Sequence, residues 1–334
     1  MEYDGASIPS ILAVGRESLR KRGILFSDLL QEPDLPYTWR LNREYFKTIG
    51  LKTRLIDAAE ADTRTDWFGT PLLTPVFASV PSDLPELSRY PVVDVARGVG
   101  KAGSCLATGI ESVLGLPEQL RAACETGTPI VHILKPIADE DAIYRWLERA
   151  EAHGCVAVGM DLASCTRSPS MPHQRTGMPV EVKTREQLRD YISSTSLPFV
   201  VKGVLSAEDA VQVQSLGARG IIVSNLGGRA LDAAVHGLEV LGEIRSAVGR
   251  ALLILVEGGF LRGTDVLKAL ALGADGVGMG SAVVLAYAAN GSEGVRDLIR
   301  CVTGELQSAM TLCGCPTISQ VDASIIQTRS FLLP

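Results

Sequence analysis

Aromatic side chains are scarce in this chain, 5% of 334 residues, whereas glycine occurs 33 times and apolar residues make up 46%. That balance suits Val/Ile/Ala-rich buried strands closed by glycine turns, and it excludes a disordered or disulfide-stapled chain. Basic excess is missing too: a net charge of −6 and a pI near 5.4 give no electrostatic reason to expect nucleic acid or an anionic membrane surface. No apolar run reaches membrane-spanning length and no Lys/Arg-led apolar segment opens the chain, so neither a membrane partner nor a secretory leader is expected. The seven cysteines are odd in number and scattered, and the close pair Cys313-Gly-Cys315 lacks metal-ligand spacing. They read as small core residues in a reducing compartment, so the cytoplasm is expected and a metal is not. What remains is an enzyme or binder of small molecules.

From Val200 onward one unit repeats: a short β-branched run, a glycine or polar turn, then an Ala/Leu-rich helical stretch. PFVVKGV leads to SAEDAVQVQSLG, GIIVSN to LDAAVHGLEVLGEIRSAVG, ALLILVEGG to TDVLKALALG, and GVGMG to SAVVLAYAANG. Four parallel βα units in sequence make half a barrel. The earlier half has the same grammar, with strands expected at Val76–Ala78, Ser104–Thr108, Ile130–Leu134 and Ala157–Asp161 and a helix over Glu140–His153. Ser206 and Thr264, each followed by carboxylates, are expected helix N-caps. The fold class is therefore α/β, a parallel (β/α)8 TIM barrel over residues 71–334. Residues 1–70 hold two helical segments and the punctuated stretch Glu32-Pro-Asp-Leu-Pro36; they are expected to pack on the barrel as an N-terminal helical extension, having too little apolar sequence for a core of their own. Residues 162–179, rich in Ser, Thr, Pro, Met and Gly, are a lid candidate.

In a barrel the chemistry gathers where the strands end. Here the later strands end in Lys202-Gly203, Ser224-Asn225, Glu257-Gly258-Gly259 and Gly280-Ser281. Glycine turns on the last two strands leave backbone N–H groups unshielded, and the helix beginning near Ser281 adds a positive dipole end, so a phosphate cradle is expected there. Either glycine pair alone is ordinary turn geometry; their succession on adjacent strands points to phosphate. Lys202 ends an apolar strand, where an ammonium needs an anionic or electron-rich partner.

The segments LPFVVKGVLSAEDA, GIIVSNLGGRALD, EGGFLRGTDVLKALALGADGV and ELQSAMTLCGC, with WRLNREYFKTIGLKTRLIDAAEADTRTDWFG before them, resemble the FMN-dependent α-hydroxy acid oxidases and dehydrogenases, the glycolate and lactate oxidase group. The resemblance spans nearly the whole chain and implies FMN, a small-molecule substrate and a homo-oligomer. It places Lys202 at the flavin N1/C2 end, Ser224 on the flavin, Glu257 at the ribityl chain, and Gly258 and Gly259 on the phosphate. Ser79, Val80 and Pro81 fall where the backbone faces N5, and Arg229 where an arginine clamps a substrate carboxylate.

The departures from the family pattern bear on function. Leu226 stands where the family has the histidine that takes the substrate proton, and leucine has no lone pair; a general base is worth about 10²–10⁴-fold. Leu134 and Leu29 replace substrate tyrosines. Leu261 and Ser281 replace phosphate arginines, leaving backbone amides, the Ser281 hydroxyl and Arg262 for the phosphate. His132 stands at a flavin-contacting glutamine and is the candidate for a relocated acid or base, oriented by Asp161, unless it is a hydrogen-bonded core histidine. In the lid, Arg167 is a substrate-contact candidate, and Cys165 and His173 read first as solvated loop. The sequence thus points to an FMN-dependent oxidoreductase acting on an atypical, anionic and larger substrate without the usual histidine base. Two alternatives stay open: a non-redox flavin-dependent isomerase or lyase, and a non-catalytic barrel that binds flavin or a partner protein.

Overall fold

The structure, a computed structural model, describes residues 3–27, 37–79, 87–88, 91–109, 117–166 and 178–329. Eight parallel strands close into a barrel in the order β10-β11-β4-β5-β6-β7-β8-β9. They are β4 (Val76–Ser79), β5 (Leu106–Thr108), β6 (Ile130–Leu134), β7 (Ala157–Asp161), β8 (Phe199–Val204), β9 (Gly220–Val223), β10 (Leu253–Glu257) and β11 (Gly276–Met279). The four strands expected in the first half are all present, two of them with the bounds read from the sequence. The helices between them are α3 (Pro91–Lys101), α4 (Pro117–Cys124), α5 (Glu140–Ala152), α6 (Arg185–Ser193), α7 (Ala207–Ser215), α8 (Gly237–Val248), α9 (Gly263–Ala271) and α10 (Ser281–Leu312). Helical geometry is broken inside α10 at Asn290 and Gly291.

Strands covered on both sides are apolar throughout, and the alternation of side chains sorts them into two shells. Phe77, Cys105, Ala107, Val131, Ile133, Ala157, Val200, Ile222 and Leu255 fill the barrel lumen. The other parity, including Ile130, Leu134, Val158, Met160, Val201 and Ile221, packs against the helices. Trp67 plugs the lumen from the hairpin of β2 (Thr65–Trp67) and β3 (Thr70–Leu72). Its indole lies where a Cβ on Gly276 would have to sit, 2.1 Å from that point, so the plug is at the end where β11 begins.

The N-terminal segment lies against this frame. Helix α1 (Ile8–Lys21) is capped by Ser7, whose hydroxyl accepts from the Ser10 amide at 3.3 Å. Gly15 brings it so close to α10 that a Cβ would meet the Leu285 carbonyl. Helix α2 (Tyr37–Tyr45) crosses the barrel mouth, and β1 (Ile49–Leu51) pairs antiparallel with β12 (Ile326–Thr328). Ser206 caps α7 as expected, accepting from the Asp209 amide at 3.1 Å. Thr264 does not cap α9. That helix begins one residue earlier, and its first turn is closed by Asp265, whose Oδ2 accepts from the Leu261 and Arg262 amides at 3.1 and 3.2 Å.

Candidate active site

The inward parity that fills the lumen continues to the C-terminal strand ends and decides which residues meet there. Ser79, Lys202, Ser224 and Glu257 face inward and join one another. Lys202 Nζ lies 2.8 Å from Glu257 Oε1, with each side chain 13% exposed. Ser224 Oγ donates to Glu257 Oε1 at 2.6 Å, Ser79 Oγ donates to Oε2, and Lys202 Nζ donates to Ser79 Oγ at 3.4 Å. Burial alone would raise the Glu257 carboxyl. The charge of Lys202 and the hydrogen bonds from Lys202, Ser224 and Ser79 outweigh burial and hold it below the usual carboxylate range.

A second cluster, absent from the expectations above as a cluster, adjoins the first. Leu134 pairs with Met160 and Asp161 with Lys202, which sets Lys135, Asp161 and Lys202 in one row across β6, β7 and β8. Lys135 Nζ lies 3.1 Å from Asp161 Oδ2 and 2.9 Å from Ser164 Oγ, and Ser164 Oγ donates to the same Oδ2 at 2.9 Å. Ser164 arrives on the turn Leu162–Ser164, which folds back over β8. Gly203 makes the room at φ 94, for a Cβ there would be 2.7 Å from that of Ala163. Burial pushes the Asp161 carboxyl up, but the charges of Lys135 and Lys202 and the bonds from Ser164 and Lys135 leave it lower than an ordinary aspartate.

His132 and Leu134 are not at this mouth. They belong to the outward parity of β6: His132 is fully buried with its ring 5.5 Å from that of Trp146 on α5, and Leu134 packs in the shell between strands and helices. Burial lowers the His132 pKa to about 4, so the imidazole is neutral at pH 7. The expectation that strand-end geometry aims His132 at a flavin, with Asp161 orienting it, is corrected accordingly. A strand buried at every position, such as IVHIL, carries no polar alternation from which its phase can be read.

Leu226 sits just beyond β9 at φ 52 and is 8% exposed. Its amide donates to Ser224 Oγ at 3.0 Å, and among the described residues it joins none of the three apolar clusters. A leucine in the left-handed region is strained by about 1 kcal/mol or more. Arg229 follows in the same turn, half-buried, its guanidinium 3.4 Å from the point a Gly227 Cβ would occupy. Arg262 is turned away to Glu305 on α10, 2.8 Å off. Val80, Pro81, Leu29, Arg167 and His173 lie outside the described residues.

The double glycine is held from the N-terminal side. Gly258 and Gly259 adopt φ 122 and 78, and a Cβ on Gly259 would be 3.1 Å from the Asn42 carbonyl. Asn42 and Asn225 exchange two side-chain hydrogen bonds, 2.8 and 3.1 Å, between α2 and the end of β9. Arg43 donates to the Gly259 carbonyl and pairs with Asp265 at 2.8 Å. His236, stacked 5.0 Å from Tyr45, approaches the Gly258 carbonyl at 3.4 Å. With those carbonyls engaged on one side, the peptide planes turn their amides the other way.

Known proteins share this fold and much of this sequence pattern. The sequence pattern of the FMN-dependent dehydrogenases matches residues 33–186 and 164–328. The chain belongs to the FMN-dependent dehydrogenase family. It is 30% identical over 328 residues to glycolate oxidase 1 of Oryza sativa subsp. indica, a match covering 87% of this chain and 88% of that one. L-lactate oxidase of a Nostoc strain is 30% identical over 332 residues, covering 86% and 89%. Identity rises to 48% with 4-hydroxymandelate oxidase of Amycolatopsis orientalis, but over 135 residues, so that match spans 38% of the relative's length. A mandelate oxidase solved with (S)-2-phenylpropionate superposes with a TM-score of 0.85 at 29% identity over 98% of this chain and 99% of that one. Another, carrying a monooxide FMN adduct, gives 0.83 at 32% identity over 95% and 99%.

For this member of the FMN-dependent dehydrogenases, FMN is the cofactor and oxidoreduction the class of chemistry. The mouth fits that group. Lys202, Ser79 and Ser224 converge as polar groups at the mouth, and β10 and β11 are both followed by glycine, where a Gly280 Cβ would be 2.8 Å from the Ser79 carbonyl. Asp265 already takes the Leu261 and Arg262 amides, so among the described residues the glycine turn up to Phe260 and the start of α10 are the backbone left to hold a phosphate.

Proposed function

We propose that this chain oxidises a 2-hydroxy carboxylate, larger than the smallest members of that class, without a histidine base. The observation that carries the proposal is Leu226. On the family resemblance, this apolar side chain in a strained left-handed turn stands in the place of the family's proton acceptor, beside the joined Lys202, Ser79, Ser224 and Glu257. FMN, when bound, supplies a two-electron acceptor for the hydrogen on the carbinol carbon. Lys202 would stabilise negative charge gathering at the ring, Ser79 and Ser224 would hydrogen-bond its edge, and Gly258, Gly259, Gly280 and Ser281 would hold the phosphate. Arg229 would clamp the substrate carboxylate, a planar two-oxygen group that a guanidinium matches with two parallel hydrogen bonds.

The preference for a larger substrate has two supports: no imidazole projects from position 226, and the stretch after β7 is short. Residues 1–70 are proposed to act as an extension of the barrel, with α2 bracing the double glycine through Asn42 and Arg43. A homo-oligomer in the cytoplasm is proposed on the family resemblance and on the seven free thiols. Anaerobic mixing of the FMN-loaded protein with aliphatic and aromatic 2-hydroxy acids tests the function, read as bleaching of the flavin bands and formation of the 2-oxo acid. Bleaching by none of them contradicts it. Turnover that requires pre-reduced FMN and leaves the electron count unchanged establishes the non-redox alternative, which the loss of the base with retention of Lys202 favours.

A further inference from the structure

The cluster beside the flavin site contains a polar atom that hydrogen bonding among the described residues does not satisfy. Asp161 is 2% exposed, and its two oxygens are treated differently. Oδ2 accepts from both Lys135 and Ser164. Oδ1 is buried and has no hydrogen-bond partner among the described residues. A buried carboxylate oxygen left without a donor is expensive, and native structures retain such a group where something else completes it. Asp161 faces inward at the strand end, level with Lys202 and two strands from Ser224 and the Leu226 turn. A ligand entering the mouth beside Lys202 is the donor that this position points to.

We infer that Asp161 Oδ1 receives the proton of the substrate hydroxyl, and that Lys135 and Ser164 are positioning residues that hold Asp161 through Oδ2. The inference rests on the hydroxy-acid oxidation proposed above. The reaction balances as follows. The C–H electron pair and its hydrogen leave the carbinol carbon as hydride for the flavin, the O–H bond breaks toward Oδ1, and the oxygen's electrons close the carbonyl. Asp161 is left as the carboxylic acid and returns the proton to water when the 2-oxo acid departs. A carboxylate suffices as acceptor because the hydroxyl becomes the O–H of a protonated carbonyl as hydride leaves, and that group is far more acidic than a carboxylic acid.

Among the described residues, the charged and polar groups facing Asp161 are Lys135 from β6, Lys202 from β8 and Ser164 from the turn after β7, with Glu257 beyond Lys202. Both lysines keep the carboxylate ionised, ready to accept, through the neutral range and below it. Lys135 is 32% exposed, and its charge beside Asp161 would favour an anionic group next to the hydroxyl.

Asp161→Asn keeps the shape and removes the proton acceptor. With flavin content and melting temperature unchanged, the rate of flavin bleaching is expected to fall about 10²–10⁴-fold. Lys135→Met is expected to lower it about 10–100-fold, the size of one lost charge-assisted hydrogen bond. It should also move the acid limb of the rate profile to higher pH, a change that a purely structural lysine would not produce. A readout independent of turnover is calorimetry with 2-hydroxy-2-phenylpropanoate, which has no hydrogen on its carbinol carbon, against 2-phenylpropanoate. The wild type should prefer the hydroxy analogue about tenfold or more, and Asp161→Ala should erase the preference. A wild type bleached by a 2-hydroxy acid together with an Asp161→Asn variant within a few-fold of it overturns this inference and leaves the proposed function standing. A wild type bleached by none, and binding neither analogue, overturns both.

Discussion

Lys202 and Glu257 meet at 2.8 Å across the barrel mouth, β8 to β10, with Ser79 and Ser224 closing the remaining sides of the carboxylate. The lysine assigned to the flavin ring is thus already matched by charge before any ligand arrives. The row Lys135, Asp161, Lys202, Glu257 alternates in sign around the rim. Such a row holds its charges in place with little net field, so an entering anion and a developing negative charge are met by fixed, opposed partners.

Removing one member of the pair exposes the dependence. Lys202→Met leaves Glu257 a buried anion with only hydroxyl partners, which is expected to cost about 3–5 kcal/mol of stability. Adding Glu257→Gln should restore most of it, because both charges are then gone. Urea denaturation of the single and double variants checks this; equal loss in both would contradict the coupling.

Position 226 offers the opposite experiment. Histidine tolerates the left-handed region better than leucine, and Leu226→His is expected to raise oxidation of small 2-hydroxy acids about 10²-fold or more by returning a general base. Leu226→Gly relieves about 1 kcal/mol of backbone strain but gives up a buried leucine side chain, so it should not stabilise the fold and should bring no gain in rate. Steady-state rates and melting curves separate the two effects.

Acid sensitivity follows from two buried histidines. Burial lowers His132 and His236 to about 4 each, whereas the unfolded chain protonates near 6.5. The unfolded state binds more protons in that window, so this part of the stability is full above pH 6.5 and is lost progressively as pH falls toward 4. His132→Leu should flatten the pH dependence of stability there and leave turnover near wild type, since the ring faces Trp146 and not the mouth. A large loss of turnover at unchanged flavin content would return His132 to the site.

Arg229 is assigned to substrate charge and not to the chemistry. Arg229→Lys keeps the charge but not the two-pronged geometry, and is expected to raise KM about tenfold with a smaller change in kcat. A kcat loss at constant KM would contradict that division.

The barrel was legible in the sequence because its signals are local. Apolar runs of strand length alternate with amphipathic helices, and the ends at Lys202, Ser224, Glu257 and Gly258-Gly259 carry the only residue types that make sense of an open strand end. Side-chain phase was not legible on β6. Ile130–Leu134 is buried on both sides, so His132 and Leu134 looked as able to face the mouth as Val131 and Ile133. The signal that settles it is Lys135: an ammonium at a strand end goes to the polar mouth, and counting back by twos puts Ile133 and Val131 inward with it. Ser164 was not readable at all, because its place depends on a turn folding over Gly203. Arg43 and Asn42 were equally hidden, being some two hundred residues from the glycines they brace.

The central claim is hydroxy-acid oxidation without a histidine base, and the rate of anaerobic flavin bleaching by a 2-hydroxy acid between pH 5 and 8 tests it most directly. A carboxylate held ionised by Lys135 and Lys202 predicts bleaching at a rate flat across that range. A rate that falls on the acid side with a midpoint near 6.5, the titration of a histidine, or the absence of bleaching at every pH, would contradict it.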